Sequence, residues 1–268
     1  MLRRTLASGA GIVAALSLVG CSTVDSLHSA VDTATDAAVH GMTGKRSTGG
    51  PPPAASSGGA PPPAAVNGMA MGLFQALFYQ GGYHMAVADF DEGDYVRWQA
   101  RGYGEGGQWF EKALLKRRED GKEWWRVVNH MGDGDTIVME ALFSPAGADG
   151  ARKILRMRVQ WPDKQPQEVP ITKESSESWV LNRPRELTEE SYAGLKQGVA
   201  DVTVPAGTFT ADHLSTGAPG QPGTLHWWMA DNVPGGVVKF ELEGEDASRV
   251  LALKSFGSGR TESRLGAF

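Results

Sequence analysis

The residues that could carry out acid–base, nucleophilic or metal chemistry are widely spaced in this sequence. It has six histidines, and none of them forms the i, i+4 pair of a zinc protease or a His-x-His strand motif. A discontinuous site built from His130, His213 and His226 stays open as an alternative, although histidines satisfied within strands are the ordinary case. No serine lies in a Gly-x-Ser-x-Gly elbow. The sequence therefore predicts a non-catalytic protein without a cofactor.

An acidic run at residues 89–94 is the other group with ligand chemistry. Its carboxylates resemble the start of a calcium loop. An EF-hand loop needs Gly at its sixth position and a bidentate Glu at its twelfth, and Asp94 and Ala100 stand there instead. A solvated acidic turn is the simpler interpretation.

Composition restricts the classes of function further. The 268 residues are 41% hydrophobic and 21% charged, as in a globular protein rather than a multi-span membrane protein. The net charge of −5 argues against nucleic-acid binding, which needs a concentrated basic face. The single cysteine excludes an intramolecular disulfide and a Cys-rich zinc site.

That cysteine, Cys21, ends a short N-terminal apolar stretch. Arg3 and Arg4 precede the stretch, which has the proportions of a secretory signal and is too short to span a bilayer. The closing residues Leu-Val-Gly-Cys resemble the lipobox of bacterial lipoproteins. The resemblance implies a signal peptide over 1–20, lipidation of Cys21 and attachment to a membrane through its acyl chains. Ser22 favours the outer membrane of the bacterial cell envelope, on the periplasmic side.

The segment that follows is predicted to be a tether over residues 21–67. Apolar residues recur at helical spacing over 24–38, which predicts a short, marginal helix. Residues 41–65 contain two Pro triplets and no aromatic residue, a composition typical of a spacer rather than of a folded core. A single β-rich globular domain is predicted over 68–268.

Within this domain, one helix is predicted before a long series of strands. Asn67 is a candidate cap for a helix over 69–80. Twofold alternation and turn signals then predict strands over 95–101, 109–117, 123–130, 136–143, 153–161, 199–204, 208–214, 225–229, 237–243 and 250–256. A short helix is predicted from Thr188 to near Gly198. This order predicts a mainly antiparallel β fold with two or three helices, curled into a barrel or half-barrel.

The last third carries two motifs with a family resemblance. Residues 202–209 read VTVPAGTF, and residues 227–240 read WWMADNVPGGVVKF. Together they resemble a recurring signature of LolA/LolB-like bacterial envelope proteins. The resemblance implies a curved antiparallel sheet that closes over helices and presents a hydrophobic concave surface. The resemblance implies a fold more than a function. The Pro and Gly residues of the two motifs are interpreted as tight turns between strands rather than as binding loops.

Tryptophan is the unusual component, with eight residues, all in the predicted domain. Large rings suit an apolar binding cavity, whereas simple core filling is the alternative. The predicted ligand-lining residues are Trp98, Leu155, Met157, Val159, Trp161, Trp227 and Trp228. The predicted lid over them is the apolar face of the 69–80 helix, formed by Leu73, Phe74, Leu77 and Phe78.

Three functions from different classes follow from these observations. The preferred hypothesis is a lipid-anchored envelope protein that binds an apolar ligand or an apolar partner segment in a half-barrel. A structural or assembly component of an outer-membrane complex would use the same sheet with its interior filled by its own side chains. An envelope hydrolase would require the histidines to converge on a nucleophile or a metal.

Overall fold

The computed structural model describes residues 63–79, 90–102, 107–147, 150–181, 188–218, 222–244 and 248–268. The predicted signal peptide, Cys21 and the tether up to residue 62 lie outside the described residues, as do His84 and Asp89.

Three helices and eleven strands make up the described chain. The helices are α1 (Pro63–Phe78), α2 (Lys173–Leu181) and α3 (Glu189–Leu195). The first six strands are β1 (Tyr95–Arg101), β2 (Trp109–Arg117), β3 (Glu123–His130), β4 (Thr136–Phe143), β5 (Ile154–Gln160) and β6 (Gln167–Val169). The last five are β7 (Lys196–Val204), β8 (Gly207–Gly217), β9 (Thr224–Met229), β10 (Val237–Glu243) and β11 (Ser248–Gly257).

All eleven strands belong to one antiparallel sheet, in the order β6-β5-β4-β3-β2-β1-β11-β10-β9-β8-β7. Two meanders, β1–β6 and β7–β11, are joined where β1 pairs with β11. The sheet does not close, because β6 and β7 remain as its edges. The predicted fold class, a mainly antiparallel curved sheet with a few helices, is therefore confirmed.

The start of α1 differs from the prediction. The helix begins at Pro63, so Asn67 lies inside it rather than capping it. Proline is well suited to the first helical position, because its fixed φ matches the helix and its missing N–H would have no intrahelical partner there.

The two faces of the sheet are covered differently. On the inner face, α1 and a continuous set of buried apolar residues form the main core, which extends from Val169 in β6 to Val204 in β7. The hairpin of β7 and β8 also bends inward, since the amide of Ala206 donates to the carbonyl of Leu253 in β11 at 3.0 Å. On the outer face, the C-terminal segment 258–268 contacts side chains of β3, β4 and β5.

Candidate functional site

The apolar face of α1 lies against the inner face of the sheet. All four predicted lid residues, Leu73, Phe74, Leu77 and Phe78, are buried in the main core. The rings of Phe74 and Phe78 are 5.5 Å apart, and Phe78 meets Trp125 of β3 edge-on at 5.2 Å. The helix therefore inserts its aromatic side chains into the sheet.

Helix α2, which the sequence analysis did not predict, completes this aromatic contact. Trp179 packs against Phe74 at 5.7 Å, Phe78 at 5.8 Å and Phe143 of β4 at 5.3 Å. We call these five residues, Phe74, Phe78, Trp125, Phe143 and Trp179, the aromatic cluster. The indole N–H of Trp179 is buried without a hydrogen-bond partner among the described residues. Such a donor is costly in an apolar interior.

A lysine lies beside the aromatic cluster. Lys112 of β2 is 3% exposed, and its ammonium is 3.5 Å from the carbonyl oxygen of Phe78, the last residue of α1. Three rings surround the same ammonium, with centroids at 5.1 Å for Phe90, 5.4 Å for Phe78 and 5.9 Å for Trp98. Burial lowers the pKa of Lys112 from 10.5 to about 7, because an ammonium loses its hydration there.

The alternation of β2 could have identified this lysine. Phe110 and Leu114 are two positions away on either side of Lys112, so all three side chains point to the inner face. Trp179 had no comparable signal, since the first six residues of α2 are polar and its three apolar residues are consecutive rather than spaced as a helical stripe.

Most of the predicted lining residues are in the main core. Met157, Val159, Trp161, Trp98 and Trp227 are all buried there. Trp98 stacks on Phe110 at 5.1 Å, and its indole N–H donates to the carbonyl of Val237 at 3.0 Å. These contacts are between protein side chains and backbone; they locate the residues on the inner face without defining a ligand.

Leu155 departs from the predicted alternation and is 40% exposed. The pairing of β4 with β5 shifts at this point, because Leu142 is opposite Arg156 whereas Phe143 is opposite Ile154. Leu155 is the extra residue of this bulge, and Ile154 takes the buried position instead. The prediction that Leu155 faces the interior is wrong for this reason.

Trp228 lies on the opposite side of β9 from Trp227. It is half-buried, stacked at 4.8 Å on His213 of β8, with the ammonium of Lys239 4.3 Å above its ring. Adjacent strand residues point to opposite faces, so only one of the two tryptophans can enter the interior. The structure assigns Trp227 to the inner face and Trp228 to the outer face.

Two of the three histidines of the alternative site meet on this outer face. His213 Nε2 and His226 Nδ1 are 3.0 Å apart, a hydrogen bond between the two rings. Burial, followed by the charges of His226 and Lys239, lowers the pKa of His213. His130 lies in β3, where it contacts Thr136 at 2.9 Å and stacks on Trp109. Within the described ranges, no group of three or more His, Cys, Asp or Glu residues is arranged to hold a metal ion.

The described part of the acidic run, residues 90–94, forms a turn that uses its own carboxylates. Asp94 accepts a 2.9 Å hydrogen bond from the amide of Asp91, and Glu92 accepts one of 2.9 Å from the amide of Arg117. Gly93 has a φ of 92°, which suits glycine at a tight turn. These contacts are those of a structural turn at the start of β1.

Comparisons with known proteins assign no family to this chain. No protein-family model matches the sequence, and a search of curated proteins found no match. Among solved structures, the chain resembles a crystal structure of a predicted lipoprotein from Parabacteroides distasonis ATCC 8503. The sequence identity is 12%, the match covers 62% of this chain and 96% of that chain, and the TM-score is 0.30. No helix in the described part of the chain is long and apolar enough to cross a membrane.

Proposed function

We propose that this protein is a non-catalytic binding protein. Its half-barrel binds an apolar ligand, or an apolar segment of a partner, which displaces α1 from the inner face of the sheet. The observation that carries the proposal is that α1 places the rings of Phe74 and Phe78 against the other three members of the aromatic cluster, Trp125, Phe143 and Trp179. A helix that presents rings to an open sheet occupies the surface that a hydrocarbon chain would need.

The composition of α1 supports its exchange. Gly68 and Gly72 lie inside the helix, where glycine costs about 1 kcal/mol relative to alanine. No acidic residue lies in its first turn and no basic residue in its last turn. No charged side chain of α1 itself therefore interacts favourably with the helix dipole. The helix therefore depends on its apolar contacts, and a ligand that replaces those contacts would release it.

The proposal places this binding domain in the bacterial cell envelope. Its support is the lipobox-like sequence ending at Cys21, together with the Pro-rich spacer over 41–65. Acyl chains on Cys21 would hold the protein at a membrane, and the spacer would allow the domain to reach ligands away from the surface. We place it at the outer membrane, facing the periplasm, on the basis of Ser22.

Binding of an environment-sensitive apolar dye to the full chain tests the proposal. The double variant Phe74→Ala/Phe78→Ala removes the inserted rings and should bind more dye than the parent protein, because the inner face becomes accessible. A variant of the exposed edge strand, Val199→Ser, is the matched control, since Val199 is 61% exposed and outside the main core.

Circular dichroism and urea unfolding separate exchange of α1 from general unfolding. If the ring-deleted protein keeps its β signal and a cooperative transition while it binds dye, α1 acts as a lid. If it unfolds, or if it stays folded and binds no more dye than the parent, α1 is simply part of the core and the proposed function fails. Mass spectrometry of gently purified protein then identifies a retained lipid or a retained protein segment.

A further inference from the structure

Two histidines meet head-on on the outer face of the sheet, on the side away from α1. His213 of β8 is opposite Trp228 of β9, and His226 lies two residues before Trp228 on the same face. Nε2 of His213 is 3.0 Å from Nδ1 of His226, while the ring centroids are 5.2 Å apart and the ring planes differ by 19°. That centroid distance is close to the largest that two imidazoles can have with nitrogens at 3.0 Å. The two nitrogens therefore face each other nearly in line.

Neighbouring side chains fix the orientation of both rings. Trp228 stacks on His213, with ring centroids 4.8 Å apart and an angle of 8° between the planes. On the far side of the pair, Nε2 of His226 is 3.5 Å from a carboxylate oxygen of Glu243 in β10. A carboxylate there favours the tautomer with hydrogen on Nε2, so the lone pair of His226 is on Nδ1 and points at His213. Carboxylates orient metal-ligating histidines in the same way.

The hydrogen between the two rings occupies the place that a metal ion would take. In the neutral pair this hydrogen belongs to Nε2 of His213, because His226 supplies the lone pair. In the other neutral tautomer of His213 the hydrogen is on Nδ1, and two lone pairs then face each other. An ion between them needs the nitrogens about 4 Å apart, twice a usual metal–nitrogen distance of about 2 Å. Both rings are half-buried, so a side-chain rotation at the sheet surface can supply this separation.

The in-line geometry selects among the ions that imidazole binds. Cu⁺ accepts two imidazole nitrogens in line, whereas Zn²⁺ prefers four ligands in a tetrahedron. In the part of the chain that the structure describes, no group of three or more His, Cys, Asp or Glu residues is arranged to hold a metal ion. A single positive charge also suits the surroundings, because the ammonium of Lys239 is 4.3 Å from the ring centroid of Trp228. That ammonium pairs with Glu241 at 2.7 Å, which reduces its repulsion of a cation.

We infer that His213 and His226 form a two-coordinate Cu⁺ site, in which Glu243 orients the ring of His226. The ion replaces the hydrogen between the two rings and makes one bond to each of the facing nitrogens. The site lies on the outer face and includes no residue of α1. It therefore goes beyond the proposed function, and either of the two can fail without the other.

Anaerobic titration of the full chain carrying Cys21→Ala, with Cu⁺ delivered from a chromophoric chelator, tests the inference. One equivalent of Cu⁺ should shift the ¹⁵N resonances of Nε2 of His213 and Nδ1 of His226 together in protein labelled at histidine. Ag⁺, which accepts the same geometry and is stable in air, should shift the same two resonances. If Cu⁺ leaves both resonances in place, the pair is only a hydrogen bond of the sheet and the inference is overturned. Tighter binding of Zn²⁺ than of Ag⁺ by these nitrogens would overturn the in-line geometry.

Variants of the two ligands measure their contribution to the affinity. His213→Ala and His226→Ala should each weaken Cu⁺ binding at this site by about 100-fold or more, because losing a ligand exceeds the usual cost of about 10–100-fold for losing a residue that orients one. Glu243→Gln should weaken binding by about 10-fold and change the ¹⁵N shifts of the His226 ring in the metal-free protein, because the preferred tautomer loses its acceptor.

His130→Ala is the matched control for these variants. His130 is a strand histidine of β3 that contacts Thr136, and its removal should leave Cu⁺ binding at the parent level. Circular dichroism monitors the fold of each variant, and the ¹⁵N titration of the parent decides the outcome if a variant does not fold. Parent-level affinity in both folded variants, His213→Ala and His226→Ala, would assign the ion to other residues and overturn the inference.

Discussion

Glu140 in β4 accepts a hydrogen bond of 2.8 Å from the backbone amide of Arg264, 124 residues later in the chain. Its other carboxylate oxygen accepts from the hydroxyl of Ser263. On the sheet, Glu140 is directly opposite Arg126 of β3 and Arg158 of β5, which also donate to carbonyls of the C-terminal segment. This buried row of alternating charges fixes the end of the chain across the outer face.

The first prediction concerns the carboxylate at the centre of this row. Glu140→Ala should lower the free energy of unfolding by about 2–4 kcal/mol, because it leaves the Ser263 hydroxyl and the Arg264 amide without their acceptor and removes the buried negative charge between Arg126 and Arg158. Glu168→Ala is the control, since Glu168 pairs with Arg156 and Arg158 but its side chain is 54% exposed. The loss for Glu168→Ala should be at most about 1 kcal/mol. Urea unfolding measures both, and equal losses would contradict this account.

A second prediction follows from the pKa of Lys112, which is about 7 in the folded protein and near 10.5 in an unfolded chain. Between these values the unfolded chain binds more protons, so the free energy of unfolding should rise with pH. The slope for one such group is at most about 1.4 kcal/mol per pH unit. Urea unfolding from pH 7 to 9 measures it, in a window about one pH unit below the ordinary tyrosine pKa of about 10.

Lys112→Met should remove most of this pH dependence and should stabilise the protein most at pH 7, where the parent still carries the charge in part of its population. Lys116→Met should leave the slope unchanged, because Lys116 is exposed. Parallel curves for the parent and Lys112→Met would show that Lys112 does not titrate in this window.

A third prediction uses the two glycines of α1. No described side chain or backbone atom of a neighbouring element comes within 4 Å of a Cβ placed on Gly68 or Gly72. Gly68→Ala/Gly72→Ala should therefore stabilise the docked helix by ~1 kcal/mol per site without a clash. The variant should bind less dye than the parent, opposite to the effect of removing Phe74 and Phe78. An increase in dye binding would contradict the lid mechanism.

Several strands could be located accurately from the sequence, and the reason is local. In β3 and β4 the turn residues at 120–121 and 133–134 bound short runs rich in β-forming side chains, so the predicted ranges 123–130 and 136–143 match the structure. The three-residue strand β6 has too few positions to show alternation, and it forms because β5 offers an edge. Its existence depends on tertiary pairing.

The features of the candidate site that were missed depend on contacts between distant segments. The bulge that exposes Leu155 is a matter of register between β4 and β5, which the alternation of β5 alone does not contain. The environment of Lys112 combines α1, β1 and β2 with Phe90. The alternation of one strand can assign Lys112 to a face, but only the packing of α1 shows what lies against it.

The last prediction tests the anchor that the sequence assigns to Cys21. Cys21→Ala should move the protein from the membrane fraction to the soluble fraction of a bacterial host that processes lipoproteins. The reason is that each buried acyl methylene contributes about 0.8 kcal/mol, and the variant has no thiol to carry the lipid. Ser26→Ala, a small polar change five residues further on, is the control and should stay with the membrane. Fractionation after a high-salt wash, with mass spectrometry of the mature N-terminus, measures the outcome. If Cys21→Ala remains in the membrane fraction after that wash, the lipobox interpretation is wrong.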